Sequence, residues 1–338
     1  MKIALRIIVG LYLVVLLVIW GIVLRDTGDS WPVTLFLFSP RWVVALPLLV
    51  LWPLTIWKSP KFSLLYFVHG VVIVIPIMGA TLGLSTDRRE ESMPTFRMLT
   101  CNLGEGELNR PKLISLVKFH QVDVVLLQEC RTVVSDPLFE ELGWNHRQAA
   151  NLAIGSPYEL SEIRVLTRQP KSKFSAIAGV ACDIHWKPSV GTSEAGKWIQ
   201  IVGVHFPTFR PAFERARKFD GGAEEAFLQL SERYNVIVDQ TVQTSERYAE
   251  ESGMSTLIAG DFNVPVDSDF YRRHWKTHQN ALSLAGSGFN YTKYTRFHGI
   301  RIDHVLADSH WRVVSAQVGA NLGGDHCPVI AELQCKSW

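Results

Sequence analysis

The pattern of hydrophobic positions divides the chain in two. Ile7 to Leu24 runs without a charge, long enough to cross the hydrocarbon core of a bilayer as a helix. Val43 to Trp57, with Trp31 to Phe38 as a backward extension, and Leu64 to Leu84 read as a second and a third span. Pro47 and Pro53 would kink the second, which membrane helices tolerate. Trp20, Trp31, Trp42, Trp52 and Trp57 fall near the expected ends, where interfacial tryptophan is favoured. Lys2 and Arg6 precede the first run as they would in a signal peptide. No small-residue cleavage site follows, so an uncleaved anchor is expected. A buried apolar hairpin of a soluble protein is the alternative. The sequence therefore predicts a transmembrane region over residues 1–84, with helices at about 7–24, 43–57 and 64–84, a polar linker over 85–94, and a separate domain over 95–338.

From Thr95 onward the period changes. Short apolar runs alternate with helical stripes, and each run closes on a polar residue. Thr95 to Thr100 leads to Asn102. Val124 to Leu127 leads to Gln128 and Glu129. Trp198 to Val204 leads to His205 and a Pro turn. Thr256 to Ala259 leads to Gly260-Asp261-Phe262-Asn263-Val264-Pro265. Arg301 to Ala307 is a strand with Asp303 inside it, and Gly323-Gly324-Asp325-His326-Cys327-Pro328 opens the last strand. Arg164 to Arg168, Ser175 to Trp186 and Trp311 to Val318 are further strands. Pro111 to Phe119 carries Leu113, Leu116 and Val117 on one helical face. Gly221 to Glu251 carries a stripe of Phe227, Leu230, Tyr234, Ile237 and Val238, read as scaffold. Phe270 to His278 is a short helix whose basic run, Arg272, Arg273, His274 and Lys276, reads as a solvated face. Strand, helix, strand in succession points to a layered α/β domain.

Charge narrows the field. The 338 residues carry a formal net charge of +2. Residues 95–338 hold 26 Lys and Arg against 27 Asp and Glu, a net of −1. That domain is not generally basic. Basic residues divide evenly between the two sides of three spans, Lys2, Arg6, Lys58 and Lys61 against Arg25, Arg41, Arg88 and Arg89, so the positive-inside rule decides little. An odd number of spans with the N-terminus inside places the C-terminal domain outside the cytoplasm, as part of an integral protein of the cell membrane. The five cysteines show no metal-like spacing and read as small buried residues.

The strand ends carry the candidate chemistry. Residues i and i+2 of an extended segment face the same way, so Asp261 and Asn263 can address one target. A Glu at the tip of a strand of four apolar residues, one residue beyond the last of them, is costly to bury unless paired or bound to a metal. Asp325 and His326 form a possible acid–base pair, since a nearby carboxylate raises the proton affinity of imidazole. Any one of these alone reads as an ordinary polar turn or a structural histidine. Their recurrence at successive strand ends points to a site.

The ordered set Asn102, Glu129, His205, Asp261-x-Asn263, Asp303 and Asp325-His326 resembles the exonuclease–endonuclease–phosphatase superfamily. The matching stretches are TCNLG, LLQE, VHFPT, GDFNVP, RIDHVL and GDHCPV, within residues 95–335. The resemblance implies a four-layer α/β (α+β) sandwich, two mixed β-sheets flanked by helices with the site at one end, preceded here by the transmembrane helices. It implies a metal-dependent phosphoric ester hydrolase. Glu129 would bind Mg²⁺ or Mn²⁺, with Asn102 supporting the metal or the phosphate and Asp325 completing that cluster. His326, oriented by Asp303, would activate the attacking water or hold the phosphate. Asp261, with Asn263 beside it, would position or deprotonate that water, leaving the general base open between His326 and Asp261. His205 would donate to the charge developing at phosphorus. The chain departs from the family at the SRYPI-like turn, where it reads Arg164 to Pro170. A phosphate-side Tyr has no clear counterpart, Tyr158 being the candidate.

Three substrate readings follow. The first is a membrane-anchored phosphatase or phosphodiesterase acting on a lipid-linked phosphate ester, with the lipid bilayer as its partner and no protein partner inferred. The second is a membrane-tethered nuclease acting on DNA or RNA. The net charge of −1 opposes it, because duplex binding leans on Lys and Arg; a local patch of Arg164, Arg168, Lys171, Arg210, Arg215, Arg217 and Lys218 favours it. The third is an anchored binding protein without turnover, which the complete acid–base set opposes.

Overall fold

The structure is a computed structural model and describes residues 2–28, 30–83, 89–104, 107–169, 176–188, 196–218 and 221–336. Residues 85–88 of the expected linker, and Lys171 of the basic patch, lie outside them.

The sandwich strands are β1 (Thr95–Asn102), β2 (Val124–Gln128), β3 (Asn145–Ala149), β4 (Leu152–Ser156), β5 (Glu159–Leu160), β6 (Arg164–Arg168), β7 (Ile177–Trp186), β8 (Lys197–His205), β9 (Ser255–Asp261), β10 (Gln279–Asn280), β11 (Asp303–Ala307), β12 (Trp311–Val318) and β13 (Val329–Cys335). The first sheet has the order β12-β13-β1-β2-β4-β3. The second has β10-β11-β9-β8-β7-β5, with β6 also on β7. Both are mixed: β1 and β2 run parallel, as do β8 and β9, and their other pairings are antiparallel.

Alternation explains the layers. Phe96, Val124 and Leu126 of the first sheet meet Trp186, Ile201 and Leu257 of the second in one buried core. The opposite faces are covered by helices. Leu113 and Val117 of the helix Arg110–Phe119, with Leu138 and Phe139 of the helix Thr132–Leu142, pack on Val125 and Leu127. Phe227, Tyr234 and Val238 of the helix Ala223–Ser252 pack on Val204 and Ile258. Each large apolar side chain so buried contributes about 1.5–3 kcal/mol, and two sheets between two helical layers follow from giving every apolar face a cover.

Register brings the polar strand ends together. Asp261 pairs with His205 on one side and with Asp303 on the other, while Asn102 pairs with Gln128, the residue before Glu129. Gly260 makes this possible. Its φ is +145°, and a Cβ there would stand 2.0 Å from the Val204 carbonyl oxygen.

The N-terminal region is helical. Ile3–Arg25, Arg41–Lys58 and Pro60–Ile77 are long and apolar enough to cross a membrane by length and composition, with mean hydropathies of 3.1, 1.3 and 1.7. The expected extents shift in two places. Trp31–Phe38 is a separate short helix and no extension of the second span. The third ends at Ile77, and Thr81–Leu82 pairs with Ser287–Gly288 as a short ribbon. This region is docked against residues 267–298. The basic run of the helix Asp269–Trp275, expected to be solvated, is engaged instead: Arg272 donates to the carbonyls of Val23 and Asp26, and Arg273 to that of Thr27. Arg41 pairs with Asp267, and His298 Nε2 donates to the Phe38 carbonyl at 2.8 Å.

Candidate active site

Asp261 stands at the centre of the site. It ends β9, is fully buried, and has both oxygens engaged. Oδ1 accepts from the Asn263 backbone N–H at 2.8 Å and Oδ2 from Asn102 Nδ2 at 3.0 Å. Two imidazoles face the same Oδ2: His205 Nε2 at 4.0 Å and His326 Nε2 at 3.9 Å. Asn263 turns its side chain back to the Phe206 carbonyl at 2.9 Å, so it braces the loop after His205.

Glu129 follows β2 with φ +53°. A left-handed backbone costs a non-glycine residue about 1–2 kcal/mol, and strain of this kind is held where the surroundings over-determine it. Its carboxylate accepts from Asn102 Nδ2 at 3.1 Å and lies 3.6 Å from His205 Nε2. Asn102 thus links Glu129 to Asp261, while its own Oδ1 accepts from Gly104 N–H. Gly104, at φ +60°, leaves room for Asp325, whose Oδ1 would be 2.7 Å from a Cβ there.

His326 and Asp303 form a buried dyad. Nδ1–H donates to Asp303 Oδ2 at 2.8 Å. Asp303 is itself located by its N–H, which donates to the buried Thr292 hydroxyl. Burial opposes charge on the His326 ring, but Asp303 and then Asp261 outweigh it and raise its pKa to about 9. Lys293 acts the other way: its ammonium contacts His326 Nε2 at 2.7 Å, an arrangement that favours the neutral ring, and bridges to Asp325 at 2.9 Å. Asp325 is held below the usual carboxylate range; burial pushes it up, and Lys293 more than offsets this.

Asn102, Glu129, His205, Asp261, Asn263, Asp303, Asp325 and His326 therefore meet at one end of the sandwich. Tyr158 and Arg164 do not. Tyr158 donates to Asp123, which precedes β2 at the end opposite Glu129. Arg164 makes a two-pronged pair with Asp183 at 2.8 and 2.7 Å and lies over the Tyr248 ring. Asp183 pairs with Gln200, five residues before His205. Neither is placed to touch a substrate at this site, and Arg164 drops out of the basic patch as a paired structural residue. Sequence reasoning missed Lys293, whose only signal is a lysine among tyrosines and threonines, and Gln169, whose amide donates to the His205 carbonyl at 3.0 Å.

Residues 99–326 match the model of the Endonuclease/Exonuclease/phosphatase family. No curated protein sequence matches the chain significantly. Among solved structures, the human Nocturnin catalytic domain with bound sulfate is 17% identical, with a TM-score of 0.52 over 71% of this chain and 94% of that one. An endonuclease/exonuclease/phosphatase family protein from Bacteroides thetaiotaomicron is 14% identical, with a TM-score of 0.51 over 72% and 98%. One from Bacteroides vulgatus is 17% identical, with a TM-score of 0.51 over 71% and 99%. At these identities the likeness is one of fold.

Proposed function

The chain belongs to the Endonuclease/Exonuclease/phosphatase family, a family of phosphoester hydrolases, and from that premise we propose that it is a membrane-anchored, Mg²⁺- or Mn²⁺-dependent hydrolase of a lipid-linked phosphate ester. Residues 1–84 would be the membrane region and 95–338 the catalytic unit, facing the outside of the cell membrane after three crossings. The observation that carries the hydrolytic reading is the convergence of Asn102, Glu129, His205, Asp261 and the Asp303–His326 dyad on one small volume.

The residues fit a hard divalent cation. Glu129, Asp261, Asp303 and Asp325 bring four carboxylates together with Lys293 as the neighbouring ammonium. Asp303 Oδ1 is buried without a hydrogen-bond partner among the described residues. Buried carboxylates need compensating positive charge, and an oxygen-rich donor set suits Mg²⁺ or Mn²⁺. Glu129 and Asn102, with Asp325, would hold the ion, which when bound polarises the phosphoryl group and neutralises the leaving oxygen.

The protein's own groups do the rest. Asp261 Oδ2 and His326 Nε2 are 3.9 Å apart, so one water can lie within hydrogen-bond reach of both; Asp261 can accept its proton, while the His326 imidazolium can donate to the phosphoryl oxygens. Asp303 fixes the ring so that Nε2 faces the cluster. His205 and Lys293 present donors to the phosphoryl oxygens, where charge grows in the transition state. Asn263 keeps the His205 and Asp261 loops in register.

The lipid reading is supported by the docking of the apolar N-terminal helices against the 267–298 segment, beside the site. The test is Mg²⁺-dependent turnover by the full-length protein in detergent, with a polyprenyl pyrophosphate, a phospholipid diester and supercoiled DNA in parallel and His326→Ala as blank. Phosphate or headgroup release with DNA intact is expected. DNA nicking that disappears in the variant, with the lipids untouched, would replace the lipid reading by a nuclease.

A further inference from the structure

A cavity of about 400 Å³ adjoins the site, within the range of about 300–1,000 Å³ of small-molecule sites. His205, Asn263 and Lys293 form part of its lining, so it is continuous with the hydrolytic cluster. One wall of the remainder is apolar, made by Phe38, Phe206, Phe213, Leu230, Ile300 and Ile302, while Gln169, Thr208, Arg210, Arg233, Thr295 and His298 supply polar groups elsewhere around it. Phe38 comes from outside the catalytic fold, at the last turn of the helix Trp31–Phe38. Its placement is specified by both sides of the junction. Its carbonyl accepts from His298, its ring lies 4.9 Å from that of Phe213 and 6.4 Å from that of Phe209, and Arg41 three residues on pairs with Asp267.

The apolar wall selects by what it lacks. A sugar or base lying against the phenylalanine, leucine and isoleucine side chains would leave donors and acceptors unmatched on that side, at a cost in desolvation. A hydrocarbon group would lose nothing and would remove apolar wall from water. The phosphate of such a ligand has its partners in His205 and Lys293, at the same cavity.

We propose that this cavity receives the hydrocarbon moiety esterified to the substrate phosphate, and that Phe38 makes the N-terminal region a wall of the substrate site as well as an anchor. The proposal rests on the hydrolase reading above and refines its substrate to an amphiphile whose apolar group begins at the phosphoester. Phe38 and Phe213 are its specificity-determining residues.

The test uses the full-length protein in lipid nanodiscs with Mg²⁺. p-Nitrophenyl methyl phosphate and p-nitrophenyl dodecyl phosphate differ only in chain length; p-nitrophenyl phosphate is run beside them. The readout is the ratio of kcat/KM for the dodecyl to the methyl ester, by p-nitrophenol release. The ratio is expected to exceed ten in the wild type. Phe38→Trp and Phe213→Trp, which fill the cavity from opposite sides of the junction, are each expected to reduce it by on the order of tenfold. Phe213→Trp keeps the test decisive if Phe38→Trp disturbs docking of the N-terminal helices. A wild-type ratio near one, or a ratio unmoved by Phe213→Trp, overturns the proposal while leaving the hydrolase reading intact. No release from any of the three esters above the His326→Ala background overturns the hydrolase reading and the proposal with it.

Discussion

Replacing Asp303 by Asn removes a single charge at the point where His326 is held. The two side chains are 1% and 0% exposed and meet at 2.8 Å. Burial alone would lower the pKa of the ring, but it is raised from 6.5 to about 9, with Asp303 the leading cause of the rise and Asp261 assisting. That rise corresponds to about 3 kcal/mol in favour of the imidazolium, and Asp303 and Asp261 together supply more than the net figure because burial and Lys293 act against them. An amide in its place carries no charge, so the imidazolium loses its main support, and it can turn an N–H toward Nδ1, which leaves a neutral ring held in the other hydrogen-bonding sense. The comparable exchange in a Ser-His-Asp triad costs about 10⁴ in kcat, and a loss of about 10²- to 10⁴-fold is expected here. The assay is kcat at saturating Mg²⁺ for wild type, Asp303→Asn, His326→Ala and the double variant. Because Asp303 acts through His326, its replacement should add little once His326 is gone. Activity of Asp303→Asn close to wild type, or losses that multiply in the double variant, would refute the dyad.

Other perturbations separate metal, backbone and packing. Glu129→Gln keeps the shape and removes a hard anionic donor, so the Mg²⁺ concentration for half-maximal activity should rise by about 10- to 100-fold; a Mg²⁺ titration of turnover checks this, and an unchanged midpoint would remove Glu129 from the metal site. Gly260→Ala cannot keep both φ +145° and the Val204 carbonyl in place; lowered thermal stability together with lost turnover is expected, and a normal melting curve would contradict the close approach of β8 and β9. Asp123 titrates against the usual sense. Burial raises its carboxyl from 3.8 to about 6, in spite of hydrogen bonds from the Arg97 N–H and Tyr158. The unfolded chain gives up that proton near pH 4 and the folded chain near pH 6, so this group favours the fold below pH 4 and that contribution is lost, by about 3 kcal/mol, as pH rises to 6. Asp123→Asn should remove this slope, and a stability difference between variant and wild type that is constant from pH 4 to 7 would contradict it.

Much of the site was legible because most of its residues end or begin an apolar run. A carboxylate or imidazole after Val-Val-Leu-Leu or Ile-Val-Gly-Val has few structural reasons to be there, and parallel β8 and β9 with antiparallel β11 then bring His205, Asp261 and Asp303 into one row. What sequence could not supply was contact between distant segments. Arg272 and Arg273 read as a solvated face because nothing local shows that residues 23–27 cap them. Lys293 carries no local mark, and its role comes from the backbone bridge that sets it opposite His326. Tyr158 and Arg164 were drawn toward the site by residue type, whereas the strand direction puts their partners, Asp123 and Asp183, away from it. The strand Asn145–Ala149 escaped notice because an edge strand with Asn, His, Arg and Gln shows no apolar alternation.

The most direct test of the central claim is hydrolysis of p-nitrophenyl phosphate and p-nitrophenyl methyl phosphate by the purified full-length protein, with EDTA and then with Mg²⁺ restored, beside His326→Ala and Asp261→Asn. Turnover that needs the metal and falls by about 10³-fold or more in both variants is the expected result. Turnover that survives EDTA, or that persists in both variants with the fold intact, would show that the chemistry does not take place at this cluster.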